Sequence, residues 1–251
     1  MRERILVIVL SFALAGPIAC IGQLYTGTSG LIKNPSAEMN EAGDAMISSY
    51  FLNKRFTPDG GFKCDGKKYG TYDFSLSITP FRWIEIGYTF TLLKTIHHEG
   101  AKPKFNQKDR YFSLKLNPVR EGKYVPAIAI GSNDFLGTPT KRHHGGGSGA
   151  GYFANYYVVL TKHFTPSGQT IGADLGYRYV PVSYGKKWQG VFASATWRPK
   201  WIPDFRLIGE WTGNEINFGA DCLLWKHLII QAAMIDCRYF TGGVGFKVNL
   251  F

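Results

Sequence analysis

Between residues 83 and 92 apolar and polar positions alternate without interruption. Ile84, Ile86, Tyr88, Phe90 and Leu92 fall on one face of an extended strand, and Glu85, Gly87, Thr89 and Thr91 on the other. Tyr72, Phe74, Leu76 and Ile78 repeat the period against Asp73, Ser75 and Ser77, as do Ile171, Ala173, Leu175, Tyr177 and Tyr179 against Gly172, Asp174, Gly176 and Arg178. At the end of the chain Phe240, Val244, Phe246, Val248 and Leu250 oppose Thr241, Gly243, Gly245, Lys247 and Asn249, and the last residue is Phe251. A free edge this apolar would invite aggregation in a soluble sheet. A closed barrel has no free edge, and its apolar face can meet lipid.

Extended character recurs in twelve segments, at residues 44–52, 70–79, 83–92, 110–118, 123–132, 152–163, 170–180, 187–197, 204–212, 214–224, 226–236 and 239–251. About ten residues is what a tilted strand needs to cross a bilayer, and an even strand number suits a bacterial single-chain barrel. The fold expected is therefore all-β: a transmembrane antiparallel up-and-down β-barrel of about twelve strands. A soluble barrel of the lipocalin kind would alternate similarly, with its apolar faces turned inward. Connection lengths favour the membrane: residues 53–69, 93–109 and 133–151 are long, whereas 79–82, 119–122, 164–169 and 198–203 are short. Outer-membrane barrels have short periplasmic turns and longer external loops, which puts both termini on the periplasmic side. Trp83, Tyr111, Tyr124, Tyr152, Trp188, Trp197, Trp201, Trp211, Trp225 and Tyr239 fall near segment ends, as interfacial girdles require.

The N-terminus carries an export signal. Arg2 and Arg4 precede an apolar run at residues 5–15, followed by Gly16 and Pro17. Ordinary cleavage after Gly22 defines residues 1–22 as the signal peptide; the alternative is acylation of Cys20. Residues 23–43 then form an N-terminal segment that can enter the lumen, and residues 44–251 the barrel. Beyond the signal no apolar run approaches the 18 or so residues of a spanning helix. Cys64, Cys222 and Cys237 match no zinc or redox spacing, and pairing of the last two stays open.

Of the 251 residues 45% are hydrophobic and 15% aromatic, and the formal charge is +11. Much of that charge falls in the expected external loops: Lys54, Arg55, Lys63, Lys67, Lys68, Lys94, Lys102, Lys104, Lys108, Lys141, Arg142, Lys186 and Lys187. Among these, Lys54, Arg55, Lys67, Lys68, Lys102, Lys104, Lys141, Arg142, Lys186 and Lys187 are candidate contacts for an anionic glycan or lipopolysaccharide. Outer-membrane lipid and lipopolysaccharide are the expected partners, with a polysaccharide or a periplasmic or outer-membrane protein besides; nucleic acid is not. Facing the lumen, Asp73, Glu85, Lys115, Asp174, Arg178, Arg206, Glu210, Asp221 and Lys247 carry both signs. Charges in a confined interior are tolerated when paired, which predicts a cross-lumen network; the same residues can also line a pore. Barrels of about eight strands are filled and those of sixteen or more leave a channel, so twelve allow either.

Candidate chemistry is sparse. Ser148 lies near His143 and His144 in a Gly-rich stretch without a nucleophile elbow, and His97 with His98 lacks the carboxylate or cysteine partners of a metal centre. No catalytic residue, metal site or cofactor is assigned.

The segment Gly27-Thr28-Ser29-Gly30-Leu31-Ile32-Lys33-Asn34-Pro35-Ser36-Ala37-Glu38-Met39 resembles the Gly-x-x-Gly-Leu-(Ile)-x-x-Pro-(Ser/Thr)-Ala-(Glu/Arg)-Met signature of YjbH-like outer-membrane proteins. Residues 50–58, 109–134, 160–164, 217–227 and 239–251 add to the likeness, which is to the compact single-barrel type found in Bacteroidetes. Departures fall at 95–105 and 138–151. The resemblance implies an outer-membrane barrel associated with exopolysaccharide secretion or assembly, and supplies no catalytic residues. The expected role is a non-enzymatic structural or accessory component of envelope glycan secretion or surface assembly. The alternatives are a narrow channel for small anionic solutes or oligosaccharides and, third, an outer-membrane lipid hydrolase.

Overall fold

The structure is a computed structural model that describes residues 22–56, 67–95, 101–137, 151–181 and 183–251. Cys20, Lys63, Cys64, His97, His98, Lys141, Arg142, His143, His144 and Ser148 lie outside the described residues, as do residues 1–21, on which the expected export signal falls. Twelve strands are present: β1 (Asp44–Leu52), β2 (Thr71–Phe81), β3 (Ile84–Thr95), β4 (Lys104–Val119), β5 (Ala127–Gly137), β6 (Asn155–Phe164), β7 (Thr170–Tyr179), β8 (Gly190–Arg198), β9 (Phe205–Trp211), β10 (Ile216–Leu224), β11 (Leu228–Ile235) and β12 (Tyr239–Asn249). Each pairs antiparallel with its sequence neighbours, and β12 closes on β1 with Ser48 opposite Gly245 and Tyr50 opposite Gly243. Among the described strands no sheet edge is left unpaired.

The period-2 pattern decides which way each side chain points. On β2 Tyr72, Phe74, Leu76 and Ile78 are exposed, while Thr71, Asp73, Ser75 and Ser77 are buried. On β12 Phe240, Val244 and Phe246 face out while Thr241, Gly245 and Lys247 are buried. The barrel is thus inverted relative to a soluble one, with its apolar face outside and its polar face inside. Such a surface is stable against hydrocarbon and unstable in water.

Several strand boundaries depart from the sequence pattern, four of them for identifiable reasons. β3 and β4 run further than expected, so their connection shrinks to 96–103 and Lys94, Lys104 and Lys108 sit on strands. Beyond the hydrocarbon a strand needs no apolar face, and cation stems over aromatic rings continue the ladder: Lys94 lies over Phe105 at 4.8 Å. β5 begins at Ala127 instead of residue 123, because Pro126 has no N–H to give the ladder. β8 begins at Gly190 because Ser183–Trp188 winds into a 3-10 turn.

Short turns at 82–83, 120–126, 165–169, 199–204 and 225–227 share one end with Gly43 and the C-terminus, where the Leu250 N–H donates to Gly43 O at 2.9 Å. Trp83, Tyr124, Phe164, Trp201 and Trp225 ring this end in exposed positions, with Phe81 stacked on Trp83 at 5.9 Å. Two members of the expected girdle turn inward instead. Tyr111 is buried because its neighbours Arg110 and Phe112 take the outer face, and Trp188 is buried against the lumen contents under Lys33. Cys222 and Cys237 are free thiols, so they form no disulfide with each other.

Candidate functional site

The lumen is occupied by residues 22–43, which enter from the short-turn end and fold into two tight loops. Leu24 N–H donates to Thr28 O at 2.7 Å and Gly27 N–H to Leu24 O at 2.9 Å, closing the first; Leu31 N–H donates to Asn34 O at 3.1 Å, closing the second. Gly27 adopts φ +90°, a conformation that a side chain would strain, which accounts for glycine there. Leu24, Leu31, Ile32 and Ala37 are buried, as are Gln23, Thr26, Thr28, Ser29, Lys33, Asn34 and Ser36.

A backbone folded this tightly has few internal partners, so its amides and carbonyls must be satisfied by the wall. Glu210 on β9 accepts from three successive amides, Ile32 at 3.3 Å, Lys33 at 2.9 Å and Asn34 at 3.0 Å, and from the Asn217 side chain at 2.7 Å. Glu85 on β3 accepts from Ser29 N–H at 2.8 Å. Lys115 on β4 donates to Ser29 O at 3.0 Å and to the Glu38 carbonyl. Arg178 on β7 donates to Lys33 O at 2.9 Å and Asn34 Oδ1 at 3.1 Å. Gln231 on β11 donates to Leu31 O at 3.0 Å. The segment is thereby held from many sides of the barrel at once.

Charge is balanced across the same contacts. Glu38 receives Arg206 Nη1 at 2.7 Å, Arg198 Nη2 at 2.8 Å and His163 Nε2 at 3.0 Å. Arg206 is wholly buried and also holds Asp221, its cross-strand neighbour, through Nε at 3.0 Å. Lys33 reaches Glu215 at 2.7 Å and lies over the rings of Phe56 at 4.6 Å and Trp188 at 4.7 Å.

All nine residues assigned to the lumen from sequence are buried. Glu85, Lys115, Arg178, Arg206 and Glu210 touch the N-terminal segment directly. Asp174 accepts from Thr161, whose Oγ1 in turn accepts the Ala37 N–H at 2.7 Å. Lys247 pairs with Asp44 at 3.4 Å where β1 begins, and Asp73 lies in the ladder between Tyr50 and Thr91. The expected cross-lumen network is therefore mostly a wall-to-segment network, because backbone groups occupy the space that partner charges would have spanned. Sequence reasoning missed as members Lys33, Asn34, Glu38, Arg198, Glu215 and Asn117, whose side chain donates to Ala37 O at 3.1 Å. Lys33, Asn34 and Glu38 stand inside the signature itself, which was the available signal.

The candidate surface cations scatter. Lys54, Lys67, Lys102, Lys104 and Lys186 are exposed and Lys68 and Lys187 half-buried. Arg55 is half-buried, bonded to Asp236 at 2.9 Å and over the Tyr239 ring at 5.3 Å.

At Gly87 on β3 the wall backbone passes close to the backbone of the segment. A Cβ there would stand 2.8 Å from Gly27 O and 2.9 Å from Gly27 C, and backbone cannot yield as a side-chain tip can. Gly87→Val is expected to destabilise the folded protein by about 1–3 kcal/mol through overpacking, measured as a lowered urea midpoint in detergent. An unchanged midpoint would mean that the segment does not press on β3.

Below the segment a cavity of about 290 Å³ opens at the short-turn end, lined by Glu38, Glu41, Arg82, Arg120, Glu121 and His163 among others. In the turn after β4, partial burial raises the Glu121 pKa, but hydrogen bonds from the His163 ring at 2.7 Å and backbone at 2.8 Å and from Lys162 at 2.9 Å outweigh it and hold the carboxyl below its usual range. A carboxyl with a depressed folded-state pKa contributes stability above its unfolded pKa and loses it as pH falls through the folded value. The thermal midpoint should therefore drop on acidification below about pH 4, and the drop should be smaller in Glu121→Gln. Equal pH profiles in the two proteins would contradict this. Among the described residues no group of three or more His, Cys, Asp or Glu is arranged to hold a metal ion.

A closed strand cylinder, apolar outside and filled with a bonded polar segment inside, defines a transmembrane β-barrel associated with the cell envelope. The family model YjbH, described as exopolysaccharide biosynthesis protein YbjH, matches residues 23–217, and the chain belongs to that family. A curated relative, the uncharacterized lipoprotein YjbH of Escherichia coli (strain K12), is 27% identical over 190 residues, covering 70% of this chain. The match spans only 23% of that relative's length. Among solved structures, the outer membrane phospholipase (OMPLA) dimer of Salmonella typhi aligns at TM-score 0.36 and 12% identity, covering 84% of this chain and 92% of that one. Outer membrane phospholipase A from Escherichia coli aligns at TM-score 0.35 and 11% identity, covering 84% and 98%. These last two alignments carry no functional inference.

Proposed function

We propose that the protein is a non-enzymatic barrel of the bacterial outer membrane, sealed by its own N-terminal segment, with both termini in the periplasm. Its role is structural or accessory, in exopolysaccharide or envelope glycan secretion or surface assembly. The family description supports the glycan link. The observation that carries the sealed reading is Glu210 holding three successive amides of the segment, a contact that immobilises backbone and not a single mobile side chain. Anionic glycan and lipopolysaccharide are the partners that the basic, exposed Lys54, Lys67, Lys102 and Lys186 suit by charge.

Deleting the gene in its source cells should lower surface polysaccharide, and re-expression of the intact chain should restore it. Unchanged polysaccharide would sink the glycan role. The channel reading requires the segment to leave the lumen and is tested by conductance. The hydrolase reading rests on Ser148 and requires esterase activity that Ser148→Ala abolishes.

A further inference from the structure

The outer wall of β1–β4 and β12 carries a feature that none of the lumen contacts uses. Ser49 on β1 is the small residue between Phe74 of β2 and Val244 of β12, its register partners on either side. Its short side chain leaves an apolar groove of about 380 Å³ on the outer wall, flanked by Phe74, Phe90, Val244 and Phe246. Phe90 is also the ring beneath two cations of β4: the Arg110 guanidinium stands 5.4 Å from its centroid and Lys108 5.9 Å. Lys94 lies over Phe105 at 4.8 Å, and Phe105 packs near Tyr72 at 5.9 Å. Apolar groove and cationic rim thus meet at one aromatic ring.

Charge and depth suit a single kind of occupant. Asp73, Glu85 and Asp109 of these strands are buried on the opposite face, so the outer rim presents cations. From Ile84 to Lys94 a strand advances about 33 Å along its axis, or roughly 25 Å along the membrane normal at a tilt near 40°, which matches the height of the apolar band. Lys94 therefore stands at headgroup level, Lys108 and Arg110, opposite Leu92 and Phe90, lie roughly 5 and 10 Å deeper along the normal with side chains long enough to snorkel toward it, and the groove lies at acyl-chain level. Alone, either feature is ordinary for a membrane barrel; joined, they complement a lipid whose phosphate sits directly above its chains.

We propose that this face is a binding site for a phosphorylated acyl glycolipid of the lipid A type, with phosphate on Lys94, Lys108 and Arg110 and one acyl chain in the groove over Ser49. The assignment to the outer leaflet rests on the reading above that the end bearing the longer connections faces outward.

The test uses the full chain in phosphatidylcholine nanodiscs, loaded with bisphosphorylated lipid A and released into native mass spectrometry. The wild type should retain lipid A in preference to phosphatidylcholine. The double variant Lys108→Gln, Arg110→Gln should lose roughly tenfold in retention, and lipid A stripped of its phosphates should show the same loss. Ser49→Phe, which fills the groove while leaving the rim intact, should also reduce retention. Heat-modifiable gel migration checks that each variant is folded. Retention by the double variant equal to wild type, or displacement of lipid A by an equal amount of phosphatidylglycerol, would overturn the site. A folded wild type that is silent in bilayer recordings but retains no lipid A would overturn it too, while leaving the sealed-barrel reading in place.

Discussion

A chain lacking residues 23–40 is expected to conduct ions in planar bilayers under conditions where the full chain is silent. The segment occupies the interior of the cylinder: Leu24, Leu31, Ile32, Lys33, Asn34 and Ala37 are buried. Without it Glu85, Lys115, Arg178, Arg206 and Glu210 would face open space and hydrate, as the walls of wide barrels do. Because the segment also satisfies these charges, its loss is expected to lower stability as well as open the lumen. Gly87→Val combined with Glu210→Ala in the full chain offers a second route, crowding Gly27 while releasing the amides of residues 32–34. Discrete conductance steps in either protein support the seal. Silence in both, with folding verified, would show that residues 23–40 do not close the pore.

Arg206→Met is expected to destabilise the barrel by about 3–5 kcal/mol, the usual effect of removing one partner from a buried charge network. Arg206 is fully buried and divides its donors among Asp221, Glu38 and the Gly30 carbonyl. Methionine fills the volume but takes from buried Asp221 the guanidinium that pairs with it, whereas Glu38 keeps Arg198 and His163. Arg206→Lys retains the charge without the planar fork and should lie between the two. Adding Asp221→Asn to Arg206→Met should recover part of the loss, since it removes the buried negative charge that Arg206 balanced. Urea titration in detergent with intrinsic tryptophan fluorescence reads all four proteins. A loss below about 1 kcal/mol for Arg206→Met would mean that the network is hydrated and not dry.

Much of the barrel was legible because lipid and lumen impose opposite polarity on successive residues. Where the period was clean, as at Trp83 to Leu92 or in the final strand, both the strand and its orientation followed from the pattern. Boundaries were lost where other physics took over. Proline delayed β5, a 3-10 turn shortened β8, and cation–aromatic stacking carried β3 and β4 past the hydrocarbon. Tyr111 and Trp188 show the limit of reasoning from composition, since an aromatic near a strand end goes inward or outward by parity, and Trp188 lies on a 3-10 turn that strand parity does not govern.

The site was legible by half. The inward charges of the wall could be identified from alternation, but their partners could not, because those partners are largely backbone atoms of residues 29–38. Backbone amides have no signature in an amino-acid sequence. What the sequence did contain was the dense Gly-x-x-Gly…Pro-Ser-Ala-Glu-Met motif. Its role becomes physical in the structure: Gly27 makes the turn, Asn34 and Lys33 bind strands β7 to β9 and the adjoining turn, and Glu38 anchors Arg198 and Arg206.

The central claim is that residues 22–43 are a fixed part of the barrel interior. Amide hydrogen exchange on the folded protein in lipid, read by mass spectrometry over seconds to hours, tests it most directly. Peptides covering residues 29–38 should be protected on the timescale of the strand peptides from β3 and β9, and Glu210→Ala should release residues 32–34 first. Exchange of residues 29–38 within seconds, while β3 and β9 stay protected, would contradict the account.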